Sequence, residues 1–397
     1  MDTAKMDKIW NPIFISVFIT NFCITMGQNM MNTLITKFAY SLGAAAGVVG
    51  AVASMFTITA LAVRPFSSPA FDSFSKKKLL IICLIDVMIA FVIYGCAHNV
   101  STIIVARLIQ GIGHGCITPL CLAMAGDSLP PDKLGSGIGV YMIGNSISQA
   151  VGPNIGLNLS QALGFNKTFF IGVGVMCIGL IACFRLKEAP RELQPYKIRL
   201  NTIIAKEAIP YSLLLMMLNI AVSSISSFLA IYAGLRNVAN IGFYFTVNAA
   251  SLLVIRPFAG RISDKYGFDK VILPGIVFFA AAFFLISKST TLPMFLLAAV
   301  IAAFGYGIAF PAIQSVSLKK VPVHKRGAGT STNYIFIDIS MLAGPLIGGA
   351  VIESAMARGA TEVLAYAGIY KVMIIPMAIA FVYSLIIRKD LVGFDRR

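Results

Sequence analysis

IRPFAGRISDKYGFDK, residues 255–270, is a polar break between two long apolar runs, and it has a degraded twin, VRPFSSPAFDSFSKKK, at residues 63–78. Arg64 and Arg256, Pro65 and Pro257, Phe66 and Phe258, Asp72 and Asp264, and Lys78 and Lys270 all stand 192 positions apart. The same offset of 192 joins Gly113 to Gly305, Gly115 to Gly307, Pro119 to Pro311, Gly137 to Gly329, Gly152 to Gly344 and Gly156 to Gly348. A constant offset of about half the chain means two copies of one module, in the same order, with almost no insertion between them.

Composition says what solvent the copies fold in. Of 397 residues, 58% are hydrophobic and 12% charged, where a soluble domain carries about 25% charged residues. With about 20 residues as the length of a bilayer-crossing helix, we count about twelve apolar runs, six per copy. The lipid bilayer is therefore the expected surroundings. The net charge of +16 could point to nucleic acid, but its placement does not. With the N-terminus in the cytoplasm, outward loops hold only Lys37, Lys167, Arg236, Lys288 and Arg358, and every other Lys and Arg cluster falls on inward segments. Cytoplasmic loops collect Lys and Arg, so this alternation predicts an even number of spans with both ends inside. Base-contacting motifs are missing, and we expect no nucleic-acid partner. The seven cysteines fall in apolar runs without a CxxC pair and read as small buried hydrophobes. No cleavable signal pattern opens the chain, so its first apolar run is read as a retained span.

Along the chain, span 1 carries Asn21, Thr25, Gln28 and Asn32 at helical spacing on one face. Such a face in hydrocarbon either lines a wet cavity or bonds a neighbouring helix. Span 3 has a lone Asp86, a candidate by its mere presence in a span. Span 4 is the densest: ARLIQGIGHGCITPL puts Arg107, Gln110 and His114 on one face and removes side chains at Gly111, Gly113 and Gly115. A fixed cation there needs a neutralising partner. His114 can change charge near neutral pH, or is simply packed. Span 5 contains Asn145, Gln149 and Gly152-Pro153-Asn154-Ile155-Gly156. Span 10 repeats the glycines and proline of span 4 but has Ala299 in place of Arg107, so the halves share structure and differ in charge. Span 11 has Tyr334 and Asp338 one turn apart, then Gly344-Pro345-Leu346-Ile347-Gly348. We place the bundles at residues 1–187 and 208–397, with a polar, basic, proline-containing cytoplasmic linker at 188–207.

The duplicated six-span plan and its loop motifs resemble the major facilitator superfamily, over essentially the whole chain. Gly260, Arg261, Asp264, Lys265, Gly267 and Lys270 fit the family's loop between the second and third spans of a half. In the first half only Asp72 and the lysines survive. The resemblance implies an all-α membrane protein of twelve transmembrane helices in two pseudo-symmetric six-helix bundles. It implies a gating role for Asp72, Arg64, Arg256, Gly260 and Asp264. Arg107-Leu-Ile-Gln110-Gly111 is similar to the family motif associated with proton coupling, and Gly152-Pro153-x-x-Gly156 to the antiporter motif. Both point to the drug:proton antiporter-like group.

The function this implies is secondary active transport: proton-coupled efflux of a small amphiphilic or organic-anion substrate, by rocking of two bundles about a central site. Spans 1, 4, 7 and 10 would line the cavity, which makes Gln28, Asn32, Asn219 and Gln314 the candidate substrate residues. Arg107, His114 and Asp338 are the candidates for proton coupling. Span 1 has no acid on its polar face, which argues against a cationic drug. Asp338 serves a cation or neutralises Arg107. The partners expected are a small-molecule substrate, protons and lipid, for a monomer in the cell membrane with no cofactor and no metal. The alternatives are a proton-coupled importer of a sugar, osmolyte or organic anion, and a transport-inactive sensor. An enzyme would need a nucleophile–base set or a metal cluster. The three histidines, His98, His114 and His324, lie in separate regions and no HExxH motif is present.

Overall fold

The computed structural model describes residues 9–130, 134–186, 204–322 and 326–388. These form helices α1 (Pro12–Ser41), α2 (Ala46–Ser73), α3 (Lys76–Gly95), α4 (Val100–Asp127), α5 (Leu134–Leu163), α6 (Phe165–Arg185), α7 (Ile209–Leu235), α8 (Gly242–Tyr266), α9 (Asp269–Lys288), α10 (Leu292–Lys320), α11 (Arg326–Ala357), α12 (Glu362–Val372) and α13 (Ile374–Ile386). The described residues contain no strand. Helix ends follow local chemistry. Asn11 caps α1 by accepting from Phe14 N at 2.9 Å, with Pro12 as the first helical residue. Its amide also reaches Ser128 O at 2.7 Å and so ties the start of α1 to the end of α4. Asn99 caps α4 in the same manner, accepting from Thr102 N at 2.8 Å.

Among the described residues, 10 helices are long and apolar enough to cross a membrane, taking α12 and α13 together as Glu362–Ile386. Helix α5 is not among them, because Asn145, Gln149, Asn154 and Asn158 lower its hydropathy. The described apolar part of α8, Gly242–Ile255, is too short. Most of the polar stretch 255–270 is helix, including the part of the loop motif from Gly260 to Tyr266. Helix α8 continues to Tyr266, and only Gly267 and Phe268 separate it from α9. Gly267 has φ +90, a left-handed turn that glycine makes without a side-chain clash. Its first-half equivalent is Ser75, which instead caps α3 by accepting from Lys78 N at 3.2 Å. Gly260 therefore lies inside a helix rather than in the turn.

By contacts the chain divides into two compact units, Met1–Leu42 with Met55–Ile198, and Gly43–Ser54 with Arg199–Arg397. The second unit thus includes the start of α2. There Gly47 N donates to Glu353 Oε1 of α11 at 2.8 Å, and Ser54 Oγ donates to Leu342 O at 2.8 Å.

Each unit repeats the other's contacts at the offset read from the sequence. A Cβ on Gly113 would come within 2.9 Å of Val87 Cγ2, and one on Gly305 within 2.6 Å of Phe279 Cα, with Val87 and Phe279 themselves equivalent. Gly115 faces Ala60 and Gly307 faces Leu252, again an equivalent pair. Small residues hold these helices close because lipid offers no hydrophobic drive to bring them together. The polar pairs keep their addresses and change their chemistry. Lys76 and Asp127 form an ion pair in the first unit. At the equivalent positions Lys319 Nζ sits 4.6 Å from the centroid of the Phe268 ring. Phe56 and Arg107 meet in the first unit, while Asn248 Nδ2 donates to Ala299 O at 2.9 Å in the second.

Candidate functional site

Span 1's polar face divides into two parts. Asn21 Nδ2 donates to Asn145 Oδ1 at 2.7 Å and Thr25 Oγ1 to Ser148 Oγ at 3.0 Å, so this end of the face bonds α1 to α5. Two turns on, Gln28 leaves α5 and meets α4, its Nε2 3.2 Å from His114 Nε2. Asn32 is one turn further, and its Oδ1 is buried without a hydrogen-bond partner. Helices α1 and α4 run antiparallel, since Asn11 meets Ser128 at one end while Gln28 meets His114. Four residues along each helix from the Gln28–His114 pair, Asn32 comes level with Gln110.

Gln110 is the hub. It is 1% exposed. Its Oε1 accepts from Tyr94 OH at 2.7 Å and from Arg107 Nη1 at 3.2 Å. Two donors on one oxygen fix the amide's orientation, so Nε2 is held with its hydrogens in the interior, where it has no acceptor. Arg107 is 2% exposed, and the face of the Phe56 ring lies 4.7 Å from its Cζ. Withdrawing a guanidinium from water costs several kcal/mol. The charged hydrogen bond to Gln110 offsets about 1.5–3 kcal/mol of this, and a desolvated ring face about 2 kcal/mol. Phe56 also packs edge-on to His114, with ring centroids 5.7 Å apart. One aromatic side chain therefore touches two of the three candidate coupling residues.

The Gln28–His114 contact sets the histidine's state. With the amide nitrogen donating, His114 Nε2 is an acceptor and the ring is neutral, its proton on Nδ1. This tautomer follows from the assigned amide orientation. A protonated ring would require Gln28 to turn its amide and present Oε1.

Asp86 stands apart from this group. Its Oδ2 accepts from Gly113 N at 2.8 Å, on the side of α4 that packs against α3. That contact accounts for an acid within the span as a bond between α3 and α4. Arg64 is half-buried in α2, with Ser67 Oγ donating to its carbonyl at 2.9 Å. The side chains of Asp72, Arg256 and Asp264 lie outside the described residues, as does chain 188–203 of the expected linker; of Gly260 only the place in α8 is described.

In the second unit, Asn219 is 6% exposed and bonded at both ends, donating to Leu215 O at 2.7 Å and accepting from Tyr306 OH at 3.1 Å. Tyr306 stacks on Phe310 with centroids 5.0 Å apart, and Gln314 follows on the same face of α10. Gln314 is half-buried and makes no hydrogen bond among the described residues. Asp338 is 6% exposed, within α11. No group of three or more His, Cys, Asp or Glu among the described residues is placed to hold a metal. The structure thus gathers Gln28, Arg107, Gln110 and His114 in one unit and pairs Asn219 with Tyr306 in the other. Phe56, Tyr94 and Tyr306 were not foreseen. They come from apolar runs, where an aromatic residue carries no sign of its polar neighbour. The 192-residue offset was the one available hint for Phe56, because its equivalent is the polar Asn248.

The sequence pattern of the Major Facilitator Superfamily matches residues 17–240 and again 212–393. An uncharacterized MFS-type transporter of Methanocaldococcus jannaschii is 22% identical over 351 residues, 85% of this chain and 90% of that protein. The multidrug resistance protein MdtG of Escherichia coli is 25% identical over 323 residues, 77% of each chain. A crystal structure of the nucleoside transporter NupG superposes with a TM-score of 0.81 at 14% identity, covering 94% of this chain and 99% of that one.

Proposed function

Given that the chain belongs to the major facilitator superfamily, and so is a multi-pass membrane transporter of small molecules, we propose that it exports its substrate in exchange for protons. The observation that carries this reading is the buried group around Gln110. A guanidinium, an amide donor lacking an acceptor and a histidine held neutral by a turnable amide lie on one stretch of α4. The similarity to MdtG supports the outward direction.

The mechanism follows from those groups. An acceptor atom of the substrate, a carbonyl, hydroxyl or carboxylate oxygen, would satisfy Gln110 Nε2 next to the Arg107 charge. Asn32 Oδ1, level with it, would take a donor. Gln28 and Asn32 would thus contact substrate from α1, and Asn219 and Gln314 from α7 and α10. A proton arriving at His114 would place a second positive charge near Arg107 and force Gln28 to rotate, changing what Gln28 offers the substrate. Substrate and proton would then compete for one polar network, which is the requirement for exchange. Asp338 would be the second proton carrier. Arg64, Asp72, Arg256, Gly260 and Asp264 would form the gates of twelve spans arranged as two rocking bundles. Both chain ends would lie in the cytoplasm, and the protein would work as a monomer in the cell membrane.

Proteoliposomes containing a pH-reporting dye test this reading, with organic anions and neutral amphiphiles added in turn. The expected result is proton movement opposite to that of any compound that crosses. Movement in the same direction would make the protein an importer. Transport of a compound without proton movement would remove His114 and Asp338 from their assigned role.

A further inference from the structure

Helix α5 has two exposed faces of opposite character. Between them lies a buried seam on α1, where Gly144 meets Phe18, Ser148 Oγ accepts from Thr25 Oγ1 at 3.0 Å and Gly152 meets Asn29. To one side of the seam stand Ile143, Ile147 and Ile155, all exposed. To the other stand Met142, Ser146 and Gln149, roughly 140° away from the isoleucines at 3.6 residues per turn. Met142 and Gln149 are exposed and Ser146 is half-buried. The isoleucines suit lipid. An amide does not, because hydrocarbon offers it no hydrogen bonds. Gln149 sits at the midpoint of this 30-residue helix, as far as α5 allows from the headgroups at either surface. The Gln149 face therefore meets water.

The duplication reads the same face independently. Adding 192 turns Met142, Ser146 and Gln149 into Tyr334, Asp338 and Met341 of α11. The two helices share one rotation about their axes. Ser340, like its equivalent Ser148, is 0% exposed, and Gly344 packs on Ile220 and Ser223 of α7 as Gly152 packs on α1. Ser146 thus holds the position at which the second repeat carries an acid. Acids within spans face the bundle interior or a wet cavity, so each repeat turns this face away from lipid.

The chemistry of the first copy is uncharged. Ser146 Oγ donates back to Met142 O at 3.1 Å, which leaves its lone pairs for an incoming donor. Gln149 can both donate and accept. Met142, its sulfur 3.7 Å from Asn145 Nδ2, adds an adaptable apolar contact.

We propose that Ser146 and Gln149 contact the substrate, and that α5 takes its uncharged hydrogen-bonding part, an amide, hydroxyl or carbonyl group next to apolar carbon. This rests on the transport reading above but not on its proton coupling.

Two measurements on the full chain in proteoliposomes test it. The first exposes Gln149→Cys, Ser146→Cys and Ile147→Cys to a charged methanethiosulfonate and reads the modified site by peptide mass. Only a thiolate reacts, and a thiol in hydrocarbon does not ionise. Label is expected at positions 149 and 146 and not at 147. Label at 147 equal to that at 149, or none at 149 and 146, overturns the proposal. Ser146→Cys decides alone should Gln149→Cys fail to fold. This arm needs neither substrate nor protons, so its failure is distinct from failure of the exchange reading. The second arm takes a compound that crosses in the dye assay. Gln149→Leu should raise its KM about fivefold with kcat unchanged, the weight of one neutral hydrogen bond lost equally from ground and transition states. An unaltered KM refutes the contact, even where the labelling shows the face to be wet.

Discussion

Replacing Gln110 by glutamate should make the protein more stable, and replacing it by leucine should make it less so. Gln110→Glu keeps the oxygen that accepts from Tyr94 at 2.7 Å and from Arg107 at 3.2 Å. It removes the buried amide hydrogens that have no acceptor, a penalty of about 1–3 kcal/mol. It also sets a negative charge beside the guanidinium, where the attraction at an effective dielectric of about 20 is about 5 kcal/mol. Taking that carboxylate out of water costs several kcal/mol, which roughly cancels the attraction. The net expectation is a gain of about 1–3 kcal/mol, mostly from the lost penalty. Gln110→Leu also deletes the unmet donor, but it strips Arg107 and Tyr94 of their shared acceptor. Those two bonds are worth about 1.5–3 and about 1 kcal/mol, and the groups left behind add desolvation penalties. The assay is the unfolding midpoint of purified protein in detergent, without substrate. If the glutamate variant unfolds more readily than wild type, or the leucine variant matches it, then Gln110 is not held as described and the proposed binding group loses its centre.

Three other outcomes follow from the same geometry. Arg107→Ala should abolish substrate-dependent proton movement in proteoliposomes while the protein still inserts and purifies, and full activity would discredit the α4 assignment. Asp86→Asn should transport as wild type, because its amide oxygen can still accept from Gly113 N, whereas Asp86→Leu should lose about 1–3 kcal/mol in the same unfolding assay; a transport-dead Asp86→Asn would return that residue to the coupling list. Asp338→Asn should shift the pH dependence of transport, and an unaltered profile would remove Asp338 from the proton path.

How much of this was legible in the sequence depends on the kind of contact. The duplication was readable because helices in lipid approach through small residues at fixed positions, so Gly113, Gly115 and their partners leave a register that survives when other side chains change. Arg107, Gln110 and His114 were readable because polar residues at helical spacing stand out against an apolar run. Their partners were not. Tyr94 and Phe56 reach the site only through the rotations of α3 and α2, and spacing within one helix says nothing about those rotations. The polar face of span 1 was undecided for the same reason: which neighbour Asn21 or Gln28 meets is set by how α1 lies between α4 and α5. The stretch at 255–270 misled in another way. The resemblance set Gly260 to Lys270 in a loop between spans, but a helix can carry polar residues where it leaves the apolar layer, and only Gly267 marks the actual turn.

The replacement of Lys76–Asp127 by Phe268–Lys319 means that dissolved electrolyte acts differently on the same corner of the two repeats. Asp127 is 62% exposed at its side chain, so that clasp slackens as counter-ions accumulate. The ammonium resting on an aromatic ring draws part of its hold from dispersion, which ions do not screen. A brine-rich medium would therefore loosen this clasp of the amino-terminal repeat while leaving its counterpart in the other nearly as tight.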